Sequence, residues 1–117
     1  GTILNPLTHQ GQIDGGVVMG MGYASMEEIL HESGRVLTAN FGDYKIPTIR
    51  DIPALKTALV QSKIGSGPYD SMSIGETPNI PTAAAVANAV EAAVGVRIQS
   101  LPVTAEKVLE ALKSGNR

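Results

Sequence analysis

Apolar residues recur every four positions, from Ile13 through Val17 to Met21, within the stretch GQIDGGVVMGMG at residues 11–22. That period predicts a helix. The same stretch holds Gly11, Gly15, Gly16, Gly20 and Gly22. Each glycine inside a helix costs about 1 kcal/mol relative to alanine, so close packing or a ligand must offset several of them. Gly16 and Gly20 are four apart and share a face, where the missing Cβ lets another backbone or a flat ligand approach.

Two short runs, Met26 to Glu32 and Arg35 to Thr38, flank Ser33-Gly34 and predict a hairpin. Residues 40–53 carry Gly42, Pro47 and Pro53 and read as an ordered, irregular connection. The alternation in KTALVQS, Lys56 to Ser62, predicts a further strand. Residues 63–80 then form a long loop rich in glycine and proline. Pro81 opens a helix over PTAAAVANAVEAAVG that Gly95 closes, with Val86, Val90 and Val94 as its packing stripe. After a short extended piece, Val96-Arg97-Ile98, comes a last helix. It has Thr104 as N-cap, Val108, Leu109 and Leu112 inward, and Gly115 as its stop. The expected class is α+β (mixed α/β), in a single segment spanning 1–117.

Composition narrows the function. The 117 residues, 43% hydrophobic and 17% charged, suit one compact domain rather than a disordered chain. With one Phe and no Trp, the interior must be filled by Ala, Val, Ile, Leu and Met. A net charge of −2 without any basic stripe argues against a nucleic-acid partner. The absence of cysteine excludes disulfides and thiolate-held zinc or iron–sulfur sites on this chain. No apolar run approaches a membrane span, no signal-peptide pattern opens the chain, and a cytoplasmic protein is expected. The abrupt start, Gly1-Thr2-Ile3-Leu4-Asn5-Pro6, reads as cut from something longer or processed.

No Ser-His-Asp set, P-loop or HExxH is present, and Gly20-Met21-Gly22 begins but does not complete a dinucleotide fingerprint. Glu76, in Ser73-Ile74-Gly75-Glu76-Thr77-Pro78, stands apart from the other acids because no Lys or Arg lies near it in sequence. A carboxylate so placed is poorly solvated and suited to proton abstraction. The competing reading is an interaction with the N-terminus of the next helix. Gln12, beside Gly11, carries an amide that both donates and accepts, which suits a heteroatom-rich ring; the alternative is an exposed helix-start residue. His9 and His31 read as ordinary histidines, not as a metal site. Met19, Met21 and Met26 read as core filling, and Asp43-Tyr44-Lys45 as a local polar cluster.

Three segments together carry a family likeness: NP…GQIDGGVVMGMGY at 5–23, DYKIPT at 43–48 and IGETPNIPTAAAVANAV at 74–90. The chain resembles the C-terminal portion of the molybdopterin-binding subunit of the xanthine dehydrogenase and aldehyde oxidoreductase (molybdenum hydroxylase) family. The likeness covers essentially the whole chain but only the final part of a much longer subunit. It implies that Glu76 of the Gly75-Glu76 pair is the catalytic base beside molybdenum, and that Gln12, with Gly75, contacts the pterin. It further implies a hydroxylation of an aldehyde or N-heterocycle with oxygen taken from water. The implied cofactor is a molybdenum-pterin, with or without a cytosine dinucleotide, and 2Fe-2S clusters and FAD belong to other domains or subunits.

The chain departs from the family pattern at Met72, where many relatives have Lys, and at Thr77, where many have Pro. These departures support a rival reading, a structural or assembly module that keeps the fold without the chemistry. The implied partners are the remainder of the molybdenum subunit, the iron–sulfur and flavin units and a small-molecule substrate. Alone, the chain is expected to bind no molybdenum and to be inactive. Its glycine-rich and Ala/Val helices, shaped against the missing part, are expected to leave apolar patches that drive self-association.

Overall fold

Asn5 starts the first helix. In the computed structural model, which describes residues 1–115, its side-chain oxygen accepts from the backbone N–H groups of Leu7 (3.1 Å) and Thr8 (3.2 Å). Those donors have no partner within the helix, and Pro6 at the first position needs none. Helix α1 therefore runs Pro6–Ser25, beginning before the glycine-rich stretch that predicts it. Its buried residues are Gly16, Gly20, Gly22 and Ala24. The helix meets the rest of the chain through small residues.

A two-strand hairpin comes next, β1 (His31–Glu32) and β2 (Arg35–Val36), paired antiparallel with His31 opposite Val36 and Glu32 opposite Arg35. Ser33 and Gly34 both take positive φ, 49° and 79°, as the tight primed turn between twisted strands requires. The strands are shorter than the predicted runs. Residues 40–53 turn locally, as expected, around Asn40 and around Thr48 and Asp51.

The predicted strand at Lys56–Ser62 is not formed as a ladder. Exposure does alternate, with Leu55, Thr57 and Leu59 half-buried and Lys56, Ala58 and Val60 exposed. Among the described residues, however, no backbone–backbone hydrogen bond involves residues 52–61. The pattern is that of a strand, and the missing ingredient is a neighbour. Val96-Arg97-Ile98 is likewise unpaired, although Ile98 is buried.

The long loop is ordered by short 3-10 turns at Pro68–Asp70 and Thr77–Asn79 and by a parallel bridge between Thr2 and Ser71. Helix α2 spans Thr82–Val94, and Gly95 ends it in the left-handed region (φ 75°), its N–H donating to Glu91 O. Thr82, Ala83 and Ala87 are the buried residues of α2, whereas Val86 and Val90 are half-buried and Val94 is exposed. The predicted valine stripe holds in part: Val90 packs against the cluster of Ala87, Ile98 and Val103, Val94 is exposed, and the most buried positions of the helix go to small side chains.

Helix α3 covers Ala105–Gly115, with Thr104 Oγ1 accepting from Lys107 N at 3.3 Å. The expected stop at Gly115 is the last helical residue of the described chain, and residues 116–117 lie outside the described residues. Val108 and Ala111 pack against the cluster of Ala87, Ile98 and Val103. Leu109 and Leu112, predicted inward, face out at 52% and 38% exposure, because the chain offers only this narrow cluster to pack on.

The expected compact domain is not what the chain builds. It exposes 8621 Å², against roughly 6,100 Å² for a compact monomer of its mass. Its radius of gyration is 18.0 Å, against roughly 13 Å. The α+β content holds, in helices and one small hairpin. The two helices expected to face a missing part, α1 and α2, pack on each other instead. The exposed apolar residues include Leu7 and Met19 of α1, but most lie elsewhere, at Phe41, Ile49, Val60, Ile64 and Ile80 among others.

Candidate functional site

Where α1 crosses the 77–79 turn, a hollow of about 300 Å³ opens, lined by Gly11, Gln12, Gly15, Gly16, Met19, Gly75, Glu76 and Asn79. The α1 members lie at i, i+1, i+4, i+5 and i+8, one face of a helix. Gly16 seats the turn: a Cβ there would meet Pro78 Cβ at 2.9 Å and Asn79 N at 3.2 Å. Tyr23 Oη donates to Asn79 O at 3.1 Å, and Thr82 Oγ1 donates to Pro78 O at 2.9 Å. These contacts fix the turn carrying Glu76 against the helix carrying Gln12.

Glu76 and Gln12, singled out from sequence, thus share one hollow. Glu76 is the residue before the turn, and its backbone carbonyl accepts from Asn79 N at 2.9 Å. Its side chain makes no capping hydrogen bond. The dry setting expected for Glu76 is corrected too: Glu76 and Gln12 are both exposed. The hollow between α1 and the 77–79 turn is open to solvent, so both side chains are wet. Among the described residues, neither side chain is hydrogen-bonded within the chain.

The wall suits a flat ligand. A Cβ built on Gly11, Gly15 or Gly75 would meet nothing within 4 Å, so bare backbone lines the hollow. A ring can lie against such a surface, with an amide and a carboxylate at its edge. A larger groove of about 700 Å³ adjoins it through Gln12 and is lined by hydroxyls, among them Thr2, Thr8, Ser66 and Ser71, and by His9. That groove holds no carboxylate, so carboxylate chemistry belongs to the smaller hollow. No set of His, Cys, Asp or Glu able to hold a metal occurs among the described residues. His9 is half-buried and His31 exposed, in line with ordinary roles.

Sequence reasoning misses Asn79 and misjudges Met19. Met19 is 51% exposed and accepts from Asn79 Nδ2 through its sulfur at 3.3 Å, so it is not core filling. Its spacing of seven from Gln12 places it on the right face. Asn79 Oδ1 is buried without a partner; no local signal marks that residue. Asp43-Tyr44-Lys45 is a fastening rather than a site. Tyr44 Oη donates to Glu27 Oε2 at 2.6 Å, tying this loop to the end of α1. That hydrogen bond, with lesser desolvation and the nearby negative charge, raises the Tyr44 pKa.

Known proteins share the chain that builds this hollow. A family model described as Molybdopterin cofactor-binding domain matches residues 1–53, which include Gln12. The chain is 46% identical over 112 residues to the xanthine dehydrogenase molybdenum-binding subunit of Escherichia coli O157:H7. The chain belongs to the molybdenum hydroxylase family. It is also 38% identical over 117 residues to the aldehyde oxidoreductase of Megalodesulfovibrio gigas. These matches cover 94% and 97% of this chain but only 15% and 12% of those proteins. Its backbone overlays that of quinoline 2-oxidoreductase from Pseudomonas putida 86 with a TM-score of 0.89 and 31% identity. That overlay covers 97% of this chain and 15% of the solved one. The chain therefore spans a small fraction of the length of the relatives it matches. Among the described residues no helix is long and apolar enough to cross a membrane.

Proposed function

We propose that the chain is the C-terminal segment of the molybdenum subunit of a hydroxylase that oxidises an aldehyde or an N-heterocycle with water as oxygen source. Glu76 is its general base, and Gln12 with Gly75 contacts the pterin. The observation that carries this reading is one hollow holding an unengaged carboxylate and an unengaged amide against a bare glycine wall. Family membership supports the choice of group for that hollow.

When bound, the cofactor supplies a Lewis-acidic metal and two-electron redox chemistry. The chain's own residues bind, position and take up the proton. Gln12 donates and accepts at the ring edge, and the glycines of α1 and Gly75 let the ring lie close. Glu76 accepts the proton that nucleophilic attack releases, its position held by the turn packed on Gly16. The remainder of the subunit covers the hollow and excludes water from that carboxylate. The 2Fe-2S and FAD units that would supply electron transfer belong to other domains or subunits. Alone, the chain holds no cofactor and turns nothing over.

Glu76→Gln in the complete assembly tests the assignment, because it keeps size and polarity but removes the base. Turnover should fall roughly 10²- to 10⁴-fold, as for loss of a general base, with molybdenum content unchanged. Unchanged turnover would mean that the segment is a structural module without chemistry.

A further inference from the structure

Asn79 lines the hollow with a carboxamide that the chain itself satisfies poorly. Its Oδ1 is buried without a partner and is turned to the bare backbone of α1, where a Cβ on Gly20 would stand 3.0 Å away. Its Nδ2 donates to Met19 Sδ at 3.3 Å. A thioether is a weak acceptor, and an amide nitrogen has a second hydrogen to give. Among the described residues that second hydrogen finds no partner. Turning the amide over is no remedy, because Oδ1 would then face a sulfur with no hydrogen to donate. The backbone of the same residue is fully engaged: Asn79 N donates to Glu76 O at 2.9 Å, and Asn79 O accepts from Tyr23 Oη at 3.1 Å. The residue is thus held in place by main-chain bonds that do not need its side chain. A buried polar group left unsatisfied lowers stability, and native folds keep few of them without a use.

We propose that Asn79 is a ligand-reading residue of this hollow, its Nδ2–H donating to an acceptor on the edge of the bound flat ring, a carbonyl oxygen or an unprotonated ring nitrogen. Met19 Sδ holds the amide in the orientation that presents its free hydrogen, and a weak acceptor is easily given up. Gln12 on α1 and Asn79 on the turn then place an amide on each of the two elements that form the hollow, while Glu76 stays its only titratable side chain. A ring bearing acceptor atoms is favoured over a hydrocarbon face of the same size, which would leave the Asn79 donor unpaired. The inference rests on the reading that the hollow takes a flat ring, and not on Glu76 acting as a base.

Two measurements on the full-length subunit test it: pterin content, read by fluorescence after release, and the melting temperature of the subunit prepared without cofactor. Asn79→Leu keeps the approximate size and removes the donor and the orphaned oxygen together. Its cofactor-free melting temperature should be unchanged or higher, while the pterin retained after dialysis should fall about threefold to tenfold, the value of one hydrogen bond. Asn79→Asp keeps the shape but puts an acceptor where the donor was, and should lose at least as much pterin. Full pterin retention in either variant would overturn the proposal. So would pterin loss in Asn79→Leu accompanied by a lower cofactor-free melting temperature, because the side chain would then merely hold the turn. Gln12→Ala separates this inference from the reading beneath it. If that variant also keeps all its pterin, the hollow is not the wall of the ring and the reading itself fails; if it loses pterin and Asn79→Leu does not, only the role of Asn79 falls.

Discussion

Gly20 of α1 and Thr82 at the start of α2 touch so closely that no Cβ fits between them: one built on Gly20 would run into the Thr82 side chain. The helix crossing that positions the candidate site depends on this missing methyl group. Gly20→Ala gains helix propensity, about 1 kcal/mol, but overpacks a buried contact. The expected net effect is destabilisation of about 1–2 kcal/mol, since overpacking typically costs about 1–3 kcal/mol. Chemical denaturation of the full-length subunit measures it, and a stabilised variant would show that the helices separate without strain.

Gly15→Ala should act in the opposite sense. A Cβ there meets nothing within 4 Å, so stability should rise by up to about 1 kcal/mol. Gly15 also lines the hollow, and its new methyl group would stand where a flat ring is proposed to lie. The expected result is an equal or higher melting temperature with severalfold less molybdenum retained. Undiminished metal content would remove this helix face from the cofactor wall.

Thr104→Ala should weaken α3 by about 1 kcal/mol, the usual value of an N-cap. The substitution leaves Lys107 N–H without its acceptor. It also removes a hydroxyl that, after the backbone N–H of Glu106 itself, holds the Glu106 carboxyl below the usual carboxylate range. Urea titration followed by far-UV circular dichroism reads the loss. Thr104→Ser should restore most of it.

Asp51 gives a pH dependence with a definite sign. Its Oδ2 accepts from Thr48 Oγ1 and from Thr48 N, each at 2.7 Å, and these bonds hold its pKa below the ordinary value. The folded group binds its proton more weakly than the unfolded one. Its contribution to the turn is therefore complete above the ordinary carboxylate pKa and is lost as pH falls through the lower folded value. The Thr48 amide should stay protected from neutral pH down to about 4 and lose protection below that. Asp51→Asn should abolish that dependence.

Much of this is legible in the chain. Pro81 and Gly95 bracket α2, Ser33-Gly34 places the hairpin, and Gln12 and Glu76 stand out in sequence before the hollow joins them. The misreadings have a common physical root. Alternation over Lys56–Ser62 reports a strand's facing, but a ladder also needs a neighbour. Val94, Leu109 and Leu112 are apolar at helical spacing, but burial needs a surface to bury against. Glu76 lacks charged neighbours in sequence, yet dryness is made by walls rather than by sequence neighbours. The early start of α1 is a different case. Asn5-Pro6 is a readable cap that apolar periodicity does not mark.

Gly16 meets the turn through a proline ring and a backbone nitrogen, groups with almost no freedom to rotate. The hollow's width is accordingly set by covalent geometry instead of by rotamer choice, and its two sides behave as one rigid jaw. Any adjustment to guests of different shape then falls to whatever groups face this jaw.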